Sequence, residues 1–430
     1  ITMADVEWIV TAYTLVIICF ILLFGKLGDT IGKDKIFKFG ILVFLSGLCI
    51  CFLSRSYPML LFGRIVEGIG AAATSANSQG IIVQTFPAQE RGKALGLSGS
   101  SVALGTMVGP SVGGLIVSHF NWNMIFGLSI PFCIVCFILC MKYLPDMSTG
   151  KSEKVDVTGA MLFMILILCL YGGVKLLQNG AGYYLYCVVL IAVSIVFGVI
   201  FARWEGKHDN AMLQLNIFKN KLYAVSVFCA FISFLAISGH NFIQPFYLQK
   251  VQLLSAAQTG MLMMAYSLTM FVVAPFSGQL SDKIGSEILC FIGLCIVSVA
   301  LFILSTLGIG SPIWIFLIGS IMMSFGMAMF QSPNTSLIMS TVGPKLTGIA
   351  GSVNGLARNL GSVFGISLST VLLYNIMSAQ VGFTVTDFVE GQELAFVVGM
   401  QWVYRSMAMV SLIGALLTGL RWKHSKKEKQ

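Results

Sequence analysis

Apolar residues run in long blocks along this chain, separated by short polar turns, and the blocks set its architecture. They cover approximately 8–25, 36–53, 59–81, 94–118, 122–143, 157–176, 181–202, 222–249, 257–280, 287–306, 312–335, 346–373 and 396–421. Each has eighteen residues or more, long enough as a helix to cross roughly 30 Å of hydrocarbon. The pattern predicts an all-α polytopic membrane protein. Nothing of domain size remains outside the blocks.

One polar turn is written twice. Gly25-Lys26-Leu27-Gly28-Asp29-Thr30-Ile31-Gly32-Lys33 recurs as Gly278-Gln279-Leu280-Ser281-Asp282-Lys283-Ile284-Gly285-Ser286. A glycine-rich charged turn at matching places points to two halves of one architecture. Four blocks follow each turn, ending at Lys142 and Arg421. Two blocks precede the second turn but only 8–25 precedes the first, and 157–176 and 181–202 are left between the halves. This predicts an N-terminal bundle over 1–144, a linker with two extra transmembrane helices over 145–220, a C-terminal bundle over 221–421 and a basic tail at 422–430. It also predicts a first helix missing from a chain that opens on Ile1, so that the parent would run six, two and six. The linker pair is expected to be peripheral to transport.

Composition agrees. Hydrophobic residues make up 57% and charged residues 10%, against about 25% charged in a soluble domain. The net charge of +9 does not signal nucleic acid, because Lys and Arg alternate with the spans. Lys26, Lys33, Lys35, Lys38, Arg91, Lys93, Lys142, Lys151, Lys154, Arg203, Lys207, Lys219, Lys221, Lys283 and Lys345 share one side with the tail; Arg55, Lys175, Lys250 and Arg405 occupy the other. That bias puts the repeated turns and the C-terminus in the cytoplasm. The tail is a topology anchor and a candidate contact for anionic lipid.

All eleven cysteines lie in predicted spans, and Cys133-x-x-Cys136 reads as packing on an apolar helix. His119, His208, His240 and His424 are scattered, so no metal site or cofactor is expected. No nucleophile and base cluster either, which argues against an enzyme.

The polar positions inside the blocks carry the candidate chemistry. In each turn, Gly25, Gly28 and Gly32, or Gly278 and Gly285, allow a tight reversal, and Asp29 or Asp282 can accept from a neighbouring helix N-terminus. Such a turn is either a well-capped loop or a latch that holds the halves in one state. Gly105, Gly109 and Gly113 recur every four residues, and with Gly114 predict close helix contact, bent at Pro110. Glu67 is the one acidic residue expected well inside a span, and intramembrane carboxylates are candidates for function. Arg64 lies on the same helix face, so the pair reads as a proton carrier or as a structural ion pair. Asn354, Arg358, Ser362 and Ser369 form a polar stripe, in which Arg358 either bonds backbone carbonyls across the half interface or orients substrate. His240 with Asn241, Gln244 and Pro245 is a candidate proton relay or a patch for freed carbonyls.

Together these segments closely resemble the major facilitator superfamily, in particular its fourteen-helix drug:H⁺ antiporters, over essentially the whole chain. Trp8-Ile9-Val10-Thr11-Ala12-Tyr13 resembles the opening of the family's second helix, and Gly25 to Lys35 its cytoplasmic loop motif, with Thr30 and Asp34 where basic residues are usual. Arg64-x-x-Glu67-Gly68-x-Gly70 is similar to the fourth-helix motif. Gly105-x-x-x-Gly109-Pro110-x-x-Gly113-Gly114 is similar to the antiporter motif, which implies a bend that limits leakage. Tyr247-Leu248-Gln249 and Asn354-x-x-x-Arg358-x-x-Gly361 fit the second half. The resemblance implies two six-helix bundles rocking about a central cavity in a bacterial cytoplasmic membrane. The expected activity is proton-driven efflux of small amphipathic, cationic drugs, with the lipid bilayer, protons and substrate as partners. The alternatives are a narrow exporter of an endogenous metabolite or tetracycline-like antibiotic and, from another class, a non-transporting membrane sensor.

Overall fold

A computed structural model describes residues 3–87, 98, 101–102, 105, 108–109, 112–147, 156–177, 181–208, 212–213, 215–342 and 347–428. Among these, twelve helices are long and apolar enough to cross a membrane. They are α1 (Met3–Ile31), α2 (Lys33–Leu53), α3 (Tyr57–Thr85), α4 (Met124–Tyr143), α5 (Val157–Leu176), α6 (Tyr184–Glu205), α7 (Lys221–Phe246), α8 (Ala256–Ile284), α9 (Ser286–Leu304), α10 (Ile313–Ser340), α11 (Thr347–Val381) and α12 (Glu393–Glu428). The expected span 94–118 lies largely outside the described residues, apart from a helical stretch at 112–119.

Several helices outrun their apolar blocks. α1 begins five residues before Trp8 in sequence order and ends at Ile31, where Gly32 turns the chain with φ 125°. Gly285 does the same between α8 and α9 with φ 96°. Both backbone positions lie in the left-handed half of conformational space, which a Cβ disfavours. The duplicated turn is therefore duplicated in conformation as well as in letters.

The likeness extends into the helices. α2 crosses α3 where a Cβ on Gly40 would sit 2.9 Å from the Gly70 carbonyl; α9 crosses α10 where one on Gly293 would sit 2.7 Å from the Gly326 carbonyl. The separation that relates Gly32 to Gly285 also relates Gly40 to Gly293. In lipid, apolar side chains gain little by meeting each other, so close backbone approach of this kind supplies the packing.

α1, α2, α3 and α4 pack in one group through α1–α3, α2–α3 and α2–α4; α7 to α12 form another. α1 and α11 run against each other across the two groups. The pair α5–α6 leans on α1 and α11 through α5. Ile18, Ile21, Ala72, Phe163, Tyr171, Phe201, Leu356 and Val363 share one buried cluster. The linker pair thus packs through α5 into the junction between the groups. The outward faces of α4 and α6, with Ile134, Val135, Ile138, Val188, Val196 and Val199 exposed, suit contact with lipid.

Candidate functional site

Glu67 is buried on α3, and Arg64 one turn earlier donates to its Oε2 at 2.6 Å. The spacing of three residues puts both on one helix face. Arg64 also donates from Nε to the Ile9 carbonyl at 3.1 Å, and its guanidinium lies 4.2 Å from the centre of the Tyr13 ring. The pair ties α3 to α1, and Gly47 of α2 backs directly onto Glu67.

Glu67 is not the only carboxylate buried in a span. Glu7, on the second turn of α1, is completely buried. Its Oε2 pairs with Nζ of Lys175 at the end of α5, and its Oε1 accepts from Ser367 of α11 at 3.2 Å. Thr11, one turn on, meets the Tyr171 hydroxyl at 3.1 Å, and Trp8 packs edge-on to Tyr171 with Lys175 near its face. This corrects two expectations: Lys175 is a buried ion-pair partner and not a loop charge, and α1 carries its own intramembrane acid. Glu7 stands one residue before the apolar block that opens at Trp8. The available signal was an acid directly before an apolar block, with Trp8 beside it and Thr11 at i+4.

Arg358 is half-buried on α11, and its guanidinium stacks on Phe234 of α7, 4.6 Å from the ring centre. Among the described residues no carboxylate pairs with it. Asn354 is buried one turn earlier. The structure therefore puts an aromatic face beside this cation. Phe231 and the exposed Phe228 continue the α7 face at three-residue spacing.

His240 goes elsewhere. It is completely buried among α8, α10 and α12, with Nδ1 3.1 Å from the Tyr404 hydroxyl and the rings of Tyr266 and Phe316 beside it. Every described partner belongs to the second helix group. Among the described contacts, His240 meets none of Glu67, Arg64 and Arg358.

In the first turn, Gly28 lets α1 close on Asn77 of α3, whose amide donates to the carbonyls of Phe24 at 3.1 Å and Ala73 at 2.9 Å. Asp29 pairs with Lys33, and Gly25 faces Ser352 of α11. Asp34 is buried and accepts from the Met147 amide at 3.0 Å and from Lys38 at 3.3 Å. The unusual acid thus anchors the segment after α4. In the second turn Gly278 lies against Ser332, while the side chain of Asp282 is outside the described residues.

The glycine series divides. A Cβ on Gly114 would stand 2.7 Å from the Ala256 carbonyl at the start of α8, whereas those on Gly105, Gly109 and Gly113 would meet nothing within 4 Å among the described residues. Among the described residues, close contact is found at Gly114. Pro110 lies outside the described residues.

Paired internal helices, buried intramembrane ion pairs and a junction between two helix groups define a polytopic membrane transporter. Comparison makes this specific. A sequence model described as Major Facilitator Superfamily matches residues 1–366 and 226–430. The riboflavin transporter RibZ of Clostridioides difficile is 31% identical over 97% of this chain and 89% of its own length. The lincomycin resistance protein LmrB of Listeria monocytogenes is 27% identical over the same shares, 97% and 89%. The crystal structure of the human organic anion transporter MFSD10 (TETRAN) superposes with a TM-score of 0.66 at 14% identity, covering 96% of this chain and 83% of that one. The chain belongs to the major facilitator superfamily. It is a multi-pass secondary transporter, not an enzyme, and its relatives place it in a bacterial cytoplasmic membrane.

Proposed function

We propose that this protein is a proton-driven exporter of amphipathic aromatic compounds, of the fourteen-helix drug:H⁺ antiporter type, working by alternating access. Its halves would be 1–144 and 221–421, joined by 145–220. The observation that carries the reading is the presence of two ion-paired carboxylates, Glu67 and Glu7, buried inside spans. Intramembrane acids are costly and mark proton paths. Efflux is supported by the antiporter motif and by the resistance relative LmrB.

The substrate reading shifts away from cations. Glu67 and Glu7 each already hold a cation, while Arg358 stacks on an aromatic face with no acid partner among the described residues. A neutral or anionic aromatic solute suits that face better than a second cation. RibZ favours a second reading, a narrow transporter of one such solute.

Everted membrane vesicles with an acid lumen separate the two. Ethidium, riboflavin and an anionic fluorescein derivative would be offered in turn. Uncoupler-sensitive accumulation of several compounds supports the broad exporter, and accumulation of one alone supports the narrow transporter. Accumulation unaffected by the uncoupler contradicts proton drive.

A further inference from the structure

We propose that Glu7, Lys175 and Ser367 form a proton-operated lock on the outer side of the transporter, with Lys175 of the linker as its positioning residue. The inference rests on the proton-driven reading for the source of its proton.

Three helices meet at this point. Glu7 belongs to the first helix group, Ser367 to the second and Lys175 to the linker pair. Each oxygen of the carboxylate has its own partner, so one ionised group holds α1 to both α5 and α11. Val6 of α1 also packs against the buried cluster of the second group, and Gly114 seats against Ala256 of α8. The groups facing Glu7 are Lys175 and Tyr171 from α5 and Ser367 and Thr370 from α11. Tyr374 of α11 is within electrostatic reach of Glu7, Tyr57 of α3 is within reach of Tyr171 and Asp5, and Asp5 precedes Glu7 on α1. Lys175 is the one base within this set, so the state of Glu7 decides whether the lock is charged.

The step balances simply. An external proton adds to Oε2 of Glu7, and the attraction of Nζ for that oxygen is lost. The bond from Ser367 changes from charge-assisted to neutral and weakens. The ammonium keeps its three protons and needs another environment. Lys175 sits one residue from the end of α5, close enough for its four-carbon stem to carry the charge out to water. Protonation therefore removes the ionic tie between α5 and α1, leaving the Thr11–Tyr171 hydrogen bond and the Trp8–Tyr171 contact, and loosens α1 from α11 on the outer side. Deprotonation rebuilds the lock.

Backbone hydrogen exchange of the full chain in lipid nanodiscs tests this without any substrate, so failure of proton-driven transport and failure of the lock show up separately. Exchange would be compared at pH 8 and pH 5, after correction for the intrinsic pH dependence, over 3–11, 169–176 and 367–381. In the wild type, protection of these segments should fall severalfold at pH 5. Glu7→Gln and Lys175→Gln should both exchange like the acid form at either pH, and the double variant should match each single one. The swap of Glu7→Lys with Lys175→Glu should restore protection at pH 8. Wild-type protection that ignores pH overturns the proposal, even if every variant fails to fold. So does a Glu7→Gln protein that retains wild-type pH-dependent protection, or a swap no better than its parts.

Discussion

Arg64 donates to Oε2 of Glu67 across 2.6 Å while its Nε is engaged by the Ile9 carbonyl of the neighbouring helix. The two residues are therefore unequal. Without Glu67, Arg64 still has a carbonyl and the Tyr13 face; without Arg64, the buried carboxylate loses its described cation. Arg64→Ala should lower stability by about 3–5 kcal/mol, as for a buried charge stripped of its partner. Glu67→Gln should cost only about 1–3 kcal/mol. Thermal unfolding of the two purified variants checks the order, and a larger loss for Glu67→Gln would contradict it.

The glycine stripe gives a contrast within one motif. Gly114→Ala puts a methyl 2.7 Å from the Ala256 carbonyl, whereas Gly105→Ala meets nothing among the described residues. The first should lose about 1–3 kcal/mol through overpacking, together with transport. The second should transport like the wild type. Equal behaviour of the two would show that contact at Gly114 is not what the motif needs.

Arg358→Lys and Arg358→Ala separate charge from stacking. Lysine keeps the cation but not the planar face that lies on Phe234, and stacking of this kind is worth about 0.5–2 kcal/mol. If Arg358 recognises an anionic or polar group of the solute, uptake of the anionic probe should follow the order wild type, Lys, Ala. Unchanged apparent KM in the Ala variant would remove Arg358 from the substrate site.

His240→Gln should leave the pH profile of transport unchanged, because the imidazole is shut inside the second helix group with Tyr404 as its described hydrogen-bond partner. It should lower stability by about 1–2 kcal/mol, the cost of a disturbed buried hydrogen bond. A displaced pH profile would return His240 to the proton path.

Asp34→Ala should release the segment after α4, since the carboxylate accepts from the Met147 amide and from Lys38. Hydrogen exchange at residues 144–147 should rise, whereas Asp34→Asn, which keeps an acceptor, should stay near the wild type. Equal protection in the Ala variant would contradict the anchor.

The membrane class and the two-fold design were legible because they rest on local pattern. Apolar length marks spans, and the paired turns carry glycine where Gly32 and Gly285 need positive φ. The Arg64–Glu67 pair was legible because helical spacing alone brings the two together. Glu7 and Lys175 were missed because no local rule joins residues on α1 and α5, and each stands at the end of an apolar block where it passes for a loop charge. The neighbours of His240 and Arg358 were not legible for the complementary reason. Sequence shows that both are polar within spans, but helix rotation decides that one faces Tyr404 and the other Phe234.

Coupling of solute flux to proton flux is the central claim, and it can be measured in one experiment. Everted vesicles with an acid lumen would be loaded with acridine orange, and an aromatic solute added outside. The account predicts solute-dependent recovery of fluorescence, as protons leave the lumen in exchange for solute. It also predicts that the recovery is absent from vesicles lacking the protein. Solute uptake that leaves the pH gradient untouched would contradict it.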